Sequence, residues 1–102
     1  MITVIVNAKV KCDFLNEYLE VASLLTKESR NRAGCVSYVF NQSVGNPLEF
    51  TLFEQWESQA HLDEHIKALI DLLGAPDPGG MLPAKLINFY ESAEPKFYNS
   101  IE

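Results

Sequence analysis

The chain has 102 residues, of which 47% are hydrophobic and 22% charged, so it has the composition of one small globular domain. Its formal net charge of -6 argues against a nucleic-acid partner, because phosphate binding needs clustered lysine and arginine. We expect no signal peptide and no membrane span, since residues 1–10 alternate in character and no window is apolar for long enough. Cys12 and Cys35 are too few for a disulfide framework, which favours a cytoplasmic protein with free thiols.

The first half of the chain predicts a strand, a helix and a hairpin. Residues 2–10 alternate with a period of two, which is typical of a strand with one buried face. Asp13 is a candidate N-cap for the helix that follows, and Gly34 is the candidate residue that ends it. Two more strands are predicted over 35–42 and 48–57, with turn residues between them. One face of the second strand is expected to carry Val36, Tyr38 and Phe40.

The second half predicts a helix, a loop and a last strand. Ser58 is the candidate cap of the helix, and its inner stripe has helical spacing. That stripe comprises Leu62, Ile66, Leu69, Ile70 and Leu73. The proline- and glycine-rich segment 74–80 must be a loop, either a lid or a rigid connector. Residues 84–92 are expected to form the fourth strand, and 93–102 an extended arm with three apolar side chains.

The element order β-α-β-β-α-β predicts an α+β, ferredoxin-like domain over residues 1–92. Two helices cover only one face of a four-stranded sheet, yet Ile5 and Phe53 place apolar side chains on the other face. A second copy of the chain is the simplest cover for that face, so we expect a homodimer. The arm at 93–102 is a candidate part of the interface.

The strand-to-helix corner at residues 54–65 holds the only tryptophan, Trp56, and both histidines, His61 and His65. Histidine alone has an ordinary pKa near neutral pH, so proton chemistry is concentrated here. Residues 61–65 also fit the H-x-x-E-H pattern of a class of zinc peptidases. Such enzymes need a third protein ligand and a larger scaffold, so we interpret this match as coincidental.

The run Glu54-Gln55-Trp56-Glu57-Ser58 through Leu62 to His65, with Ala33-Gly34-Cys35 before the second strand, resembles the antibiotic-biosynthesis monooxygenase superfamily. Within it, the small bacterial quinol monooxygenases are the most similar. The resemblance implies a dimeric α+β barrel that oxygenates a small quinol or phenol with molecular oxygen. It also implies that no metal, flavin or haem cofactor takes part.

The resemblance assigns roles to three residues. His65 would be the base, Trp56 a wall of the pocket, and Asn7 a hydrogen-bond partner of a substrate oxygen. Each also has a plain structural interpretation: a satisfied histidine at the helix–sheet boundary, a core aromatic, and a hydrogen bond facing the barrel. For Glu54, on the same strand face as Trp56, we favour a structural role, because a carboxylate on an apolar face is costly unless paired.

Three hypotheses for function remain open. The first is the cofactor-independent oxygenase, and the second is a non-catalytic dimeric barrel that binds a hydrophobic small molecule or serves in a stress response. Haem handling is third, because Ala75 stands near the position of the axial histidine in haem-degrading members. An enclosed pocket reached by His65 would favour the enzyme, whereas a filled interior or an outward-facing His65 would favour the binding or structural protein.

Overall fold

The structure, a computed structural model, describes residues 1–101. Four strands form one antiparallel sheet in the order β2-β3-β1-β4. The elements are β1 (Ile2–Val10), α1 (Leu15–Arg30), β2 (Cys35–Gln42), β3 (Glu49–Trp56), α2 (Gln59–Leu73), α3 (Ala84–Ile87) and β4 (Tyr90–Asn99). This is the ferredoxin-like α+β arrangement that the element order predicts. In the described range no helix is both long and apolar enough to cross a membrane.

The core lies between one face of the sheet and the helices, with α1 on β2 and α2 against β3. Alternate residues of β1 and β3 point into it, including Val4, Phe50 and Trp56, none of them more than 5% exposed. Burying side chains of this size contributes roughly 1.5–3 kcal/mol each. On α2 the buried positions are Leu62, His65 and Leu69, so a histidine belongs to the helical stripe that faces the core.

The fourth strand differs from the sequence-based prediction of residues 84–92. Residues 84–87 form the short helix α3, and the strand begins at Tyr90 and pairs with β1 as far as Asn99. Residues 93–99 of the predicted arm therefore belong to the sheet, and Glu102 lies outside the described residues. Pro95 is accommodated because β4 is an edge strand, where a missing N–H need not break a ladder hydrogen bond.

Three predicted details at the ends of α1 and on β2 are wrong. Asp13 lies in a 3-10 turn at Cys12–Phe14, and the N-cap position of α1 is Phe14. The helix ends at Arg30 with Asn31 at its C-cap, three residues before Gly34. Val36 is 47% exposed, because a bulge between Cys35 and Ser37 takes it out of the regular strand alternation.

Gly34 has a structural role other than the predicted one. Its φ of +82° lies in the left-handed region that favours glycine, and a β-carbon there would overlap the ring of His61. Its carbonyl accepts a hydrogen bond of 2.8 Å from the backbone N–H of Glu57, at the end of β3. Gly34 therefore fixes the turn before β2 against the start of α2.

We expect Gly34→Ala to lower the free energy of unfolding by about 2 kcal/mol or more, through backbone strain and the overlap with His61. Urea unfolding measures the change. Gly45→Ala is the matched control, because Gly45 has no positive φ and a β-carbon added there would meet no atom within 4 Å. Equal stability of the two variants would contradict this role of Gly34.

The sheet face away from the helices is open. Alternation along β1, β2 and β3 places Ile5, Val39 and Phe53 on it, and each is partly exposed. On β4, Tyr98 is opposite Thr3 of the same face and is 47% exposed. This open face (Ile5, Val39, Phe53 and Tyr98) is the apolar surface that the sequence predicts outside the helix-covered core.

Candidate functional site

The corner between β3 and α2 is built by the cap of α2. The hydroxyl of Ser58 accepts a hydrogen bond of 3.3 Å from the backbone N–H of His61 and lies 2.7 Å from Nδ1 of the same residue. This confirms Ser58 as the predicted N-cap. One turn further along, His65 points back toward β3 and is 2% exposed.

His65 and Trp56 stack on one another inside the protein. Their ring centroids are 4.5 Å apart with an angle of 29° between the planes, and Trp56 is fully buried. The ring of Tyr38 meets His65 edge-on, with centroids 5.4 Å apart. The structure therefore brings together two of the three predicted site residues, in a part of the interior that aromatic rings fill.

Glu54 completes this buried cluster. It lies two residues before Trp56 on the same strand face, and its Oε1 accepts a hydrogen bond of 2.7 Å from the indole Nε1. The same oxygen is 3.8 Å from Nε2 of His65, which is long for a hydrogen bond. Glu54 is only 5% exposed. The carboxylate thus has the partner that its apolar position requires, and it faces the imidazole as well.

Burial shifts the pKa values of the two ionisable groups in opposite directions. It raises the pKa of Glu54 from 4.5 to about 7, against the opposing effect of the Trp56 hydrogen bond. Burial and, to a smaller extent, the positive charge of Arg32 together lower the pKa of His65 from 6.5 to about 4. His65 is therefore neutral near pH 7, and its contact with Glu54 is not an ion pair.

The neutral imidazole leaves one nitrogen free. A neutral histidine carries one N–H and one acceptor nitrogen, and where Glu54 is ionised, above pH 7, its carboxylate opposite Nε2 favours the proton on that atom. Nδ1 is then the acceptor, and within residues 1–101 it is buried without a hydrogen-bond partner. The guanidinium Nε of Arg32 is also buried without a hydrogen-bond partner in this range of residues. Both residues line a surface groove of about 590 Å³ between α2 and the end of α1.

Asn7 lies elsewhere. It pairs with Thr51 and Glu94 across the sheet, and alternation places its side chain on the open face, opposite to Val4 and Glu54. Its Oδ1 accepts a hydrogen bond of 3.2 Å from the Thr51 hydroxyl. Within one protomer, the sheet separates Asn7 from His65 and Trp56.

The two histidines of the H-x-x-E-H pattern face different partners. His61 contacts Ser58 and lies over Gly34, whereas His65 stacks on Trp56. Across residues 1–101, no group of three or more histidine, cysteine, aspartate or glutamate side chains could hold a metal ion.

Sequence reasoning undervalued Glu54 and missed Arg32. Glu54 did carry a signal, since a carboxylate between apolar residues on a strand face must have a partner. Arg32 carried none, because a cation after a helix is explained by the helix dipole alone. Its proximity to His65 depends on how the turn before β2 folds against α2.

Comparison with known proteins places these residues in a family. The fold and the buried aromatic–histidine corner define an α+β domain of the ferredoxin-like class. The family model for antibiotic biosynthesis monooxygenases matches residues 1–68, which include Glu54, Trp56 and His65. The chain therefore belongs to the antibiotic biosynthesis monooxygenase family.

Individual relatives are distant. An uncharacterized protein of Synechocystis sp. is 35% identical over 61 residues, a match that spans 60% of this chain and 42% of that protein. A Nitrosomonas europaea protein, provisionally named an antibiotic biosynthesis monooxygenase, superimposes with a TM-score of 0.81 over the whole of both chains at 19% identity. A Deinococcus radiodurans protein with the same provisional name has a TM-score of 0.75 at 16% identity, over 100% of this chain and 94% of its own. At these identities the solved structures show the fold alone.

Proposed function

We propose that this protein is a cofactor-independent monooxygenase that oxidises a small quinol or phenol with molecular oxygen. The observation that carries the proposal is the free Nδ1 of a neutral, buried His65 whose other nitrogen faces Glu54. A general base needs an available lone pair and a fixed orientation, and this arrangement supplies both. Because burial lowers the pKa of His65 to about 4, the imidazole is a weak base, so the proton transfer needs a second group that stabilises the oxyanion formed. Membership of the monooxygenase family supports the reaction class.

The chemistry begins with a proton transfer from a substrate hydroxyl to Nδ1 of His65. The resulting anion gives up electrons to oxygen more readily than the neutral quinol does. A quinol supplies all the electrons that are needed: two are lost in forming the quinone, and two more when one oxygen atom is placed on the ring. The second oxygen atom leaves as water, so the products are a hydroxyquinone and water and no further reductant is required.

The reaction class is tested by oxygen uptake. Metal-stripped protein should consume oxygen above the autoxidation rate with at least one member of a panel of quinols and polyphenols. Under ¹⁸O₂, the product should contain one labelled oxygen atom per turnover. Uptake without incorporation would show an oxidase and overturn the monooxygenase assignment, and no uptake on a broad panel would favour the second function below.

The second candidate function is that of a non-catalytic barrel that binds a hydrophobic small molecule. One observation favours it: His65 is 2% exposed and is stacked in a filled interior, as expected of a structural residue. The discriminating observation is whether a bound ligand is turned over. Ligand binding without product would favour the binding protein.

A homodimer is part of the proposed function. The open face carries Ile5, Val39, Phe53 and Tyr98, and one closed two-fold contact would cover this same patch on both protomers. In that dimer Asn7, on the same face, would lie between the two sheets. A polar role there would be toward the partner subunit or a ligand between the sheets, apart from His65 and Trp56, which lie on the other side of the sheet.

We expect Phe53→Glu to produce a monomer at micromolar concentration, because it would place a charge in the middle of a self-associating apolar face. Sedimentation equilibrium measures the change. Val44→Glu is the control, since Val44 is fully exposed in the turn between β2 and β3. If wild-type protein sediments as a monomer at all concentrations, the homodimer is wrong.

A further inference from the structure

Among the residues that line the groove between α2 and the end of α1, Arg32 and His65 each have a buried polar atom without a hydrogen-bond partner among the described residues, and we call this pair the floor of the groove. The free atoms are Nε of Arg32 and Nδ1 of His65, each without a hydrogen bond within the part of the chain described, residues 1–101. Leaving a buried donor or acceptor unpaired is costly, and native proteins do so rarely outside sites that a ligand completes. The two atoms are complementary, since Nε can only donate and the free Nδ1 of a neutral imidazole can only accept.

The rim of the groove differs in charge from its floor. Glu28, Glu64 and Asp71 line it, together with Lys67, whose Nζ is 3.2 Å from a carboxylate oxygen of Glu64. With that lysine paired, the acidic rim disfavours an approaching anion, whereas Arg32 on the floor favours one. Such an arrangement suits a ligand that arrives neutral and becomes negatively charged only inside.

We propose that Arg32 is a second functional residue of the site: its Nε binds the substrate oxygen whose proton Nδ1 of His65 accepts. This deepens the proposed oxygenase function and rests on it for the identity of the substrate. In the step itself the O–H bond of the substrate breaks, the proton moves to Nδ1, and the electron pair stays on oxygen as an oxyanion. The guanidinium then stabilises the new charge through a charge-assisted hydrogen bond. No oxidant takes part in this step.

The substrate class follows from the two atoms and the rim. The ligand presents one weakly acidic hydroxyl, and it is not a carboxylate or a phosphate, since those arrive already charged. That this hydroxyl is carried by an aromatic ring rests on the proposed function. Both atoms are covered in the free protein, so the side chain of Arg32 has to shift to admit the ligand. Arg32 is partly exposed and lies in a turn, which allows that movement.

The test uses 4-nitrophenol as the probe, because its ionised and neutral forms have different absorption spectra. Titration into wild-type protein at a pH near the probe's own pKa should increase the anion's share of the absorbance, because Arg32 favours the bound anion over the neutral form. Arg32→Met should weaken binding about tenfold or more and remove the spectral change, since a hydrogen bond to a charged group is lost. Arg32→Lys should retain part of the spectral change, because the charge remains. Lys27→Met is the control for loss of a nearby cation, as Lys27 is exposed on α1 outside the groove.

The outcomes separate this inference from the oxygenase function. A spectral change that is equal in wild type and Arg32→Met, or equal binding of 4-nitrobenzoate, would overturn the role of Arg32 even if quinols are oxygenated. Bound 4-nitrophenolate that depends on Arg32 would support the site even if no quinol is turned over. Histidine side-chain ¹⁵N spectra provide the second readout: the probe should shift Nδ1 of His65 in wild type and not in Arg32→Met.

Discussion

Replacing His65 by phenylalanine is expected to lower quinol-dependent oxygen consumption by about 100-fold or more, while the protein stays folded. Phenylalanine retains a flat ring to stack on Trp56, whose centroid is 4.5 Å from that of His65. It removes Nδ1, the only atom of His65 that is free to accept a proton. Alanine at this position would also leave a cavity, so phenylalanine separates loss of the base from loss of packing.

The matched control is Tyr18→Phe. It also removes a polar atom from a buried ring, in this case a hydroxyl 2.9 Å from that of Tyr90, in a different part of the core. We expect it to keep its oxygen consumption. Normal turnover by a folded His65→Phe variant would remove His65 as the base.

The second large effect is on the pH dependence of stability. In the unfolded chain Glu54 titrates near 4.5 and His65 near 6.5, whereas in the folded protein these pKa values become about 7 and about 4. Between pH 4.5 and 6.5 the unfolded pair is therefore carboxylate and imidazolium, and the folded pair is carboxylic acid and neutral imidazole. Folding moves a proton from His65 to Glu54 without changing the number bound.

The two groups oppose one another in the stability curve. The raised pKa of Glu54 favours the folded state at low pH, and this contribution is lost as the pH rises from 4.5 to 7. The lowered pKa of His65 disfavours the folded state at low pH, and this penalty disappears as the pH rises from 4 to 6.5. Each contribution is about 3 kcal/mol, so the pair leaves the wild-type curve nearly flat between pH 4.5 and 6.5.

Single substitutions should separate the two contributions to the pH dependence of the free energy of unfolding. Glu54→Gln keeps an oxygen that can accept a hydrogen bond from Trp56, but it no longer titrates. Only the His65 contribution then remains, so the free energy of unfolding of this variant, relative to wild type, should increase by about 3 kcal/mol as the pH is raised from 4.5 to 6.5. The free energy of unfolding of His65→Phe, relative to wild type, should decrease by a similar amount as the pH is raised over the same range. Urea unfolding at several pH values measures both. Two other ionisable groups near the pair, Tyr38 and Cys35, stay neutral in this window, since burial raises the pKa of both. If the curves of unfolding free energy against pH are parallel for wild type and the two variants, folding does not move a proton from His65 to Glu54.

Most of the fold was predictable because its signals are local. The alternation in residues 2–10, the turn before β3 and the cap at Ser58 each lie within a few residues of the element they define. The fourth strand was misplaced because β4 offers no such pattern. From Glu91 onward every residue of it is exposed, and the adjacent apolar residues Phe97 and Tyr98 point to opposite faces, so no alternation marks a buried face.

The site was predictable only in part, for a related reason. Trp56 and His65 came from a resemblance, and their stacking needs the crossing of β3 and α2, which no local pattern reports. Asn7 also came from the resemblance, but the pairing of β1 with β3 places it behind the sheet from His65 within one protomer. Arg32 depends on a turn held by Gly34, whose carbonyl bonds the end of β3. These are long-range contacts, and a sequence pattern shows only short ones.

The central claim is that His65 is a neutral base with its proton on Nε2 and its lone pair on Nδ1. Histidine side-chain ¹⁵N NMR of the free protein between pH 5 and 8 tests it most directly, with His65→Phe to assign the signals. We predict that His65 stays neutral over this range and that above pH 7, where Glu54 is a carboxylate, Nε2 is protonated and Nδ1 is not. A charged imidazole at pH 7, or the proton on Nδ1 above pH 7, would contradict it.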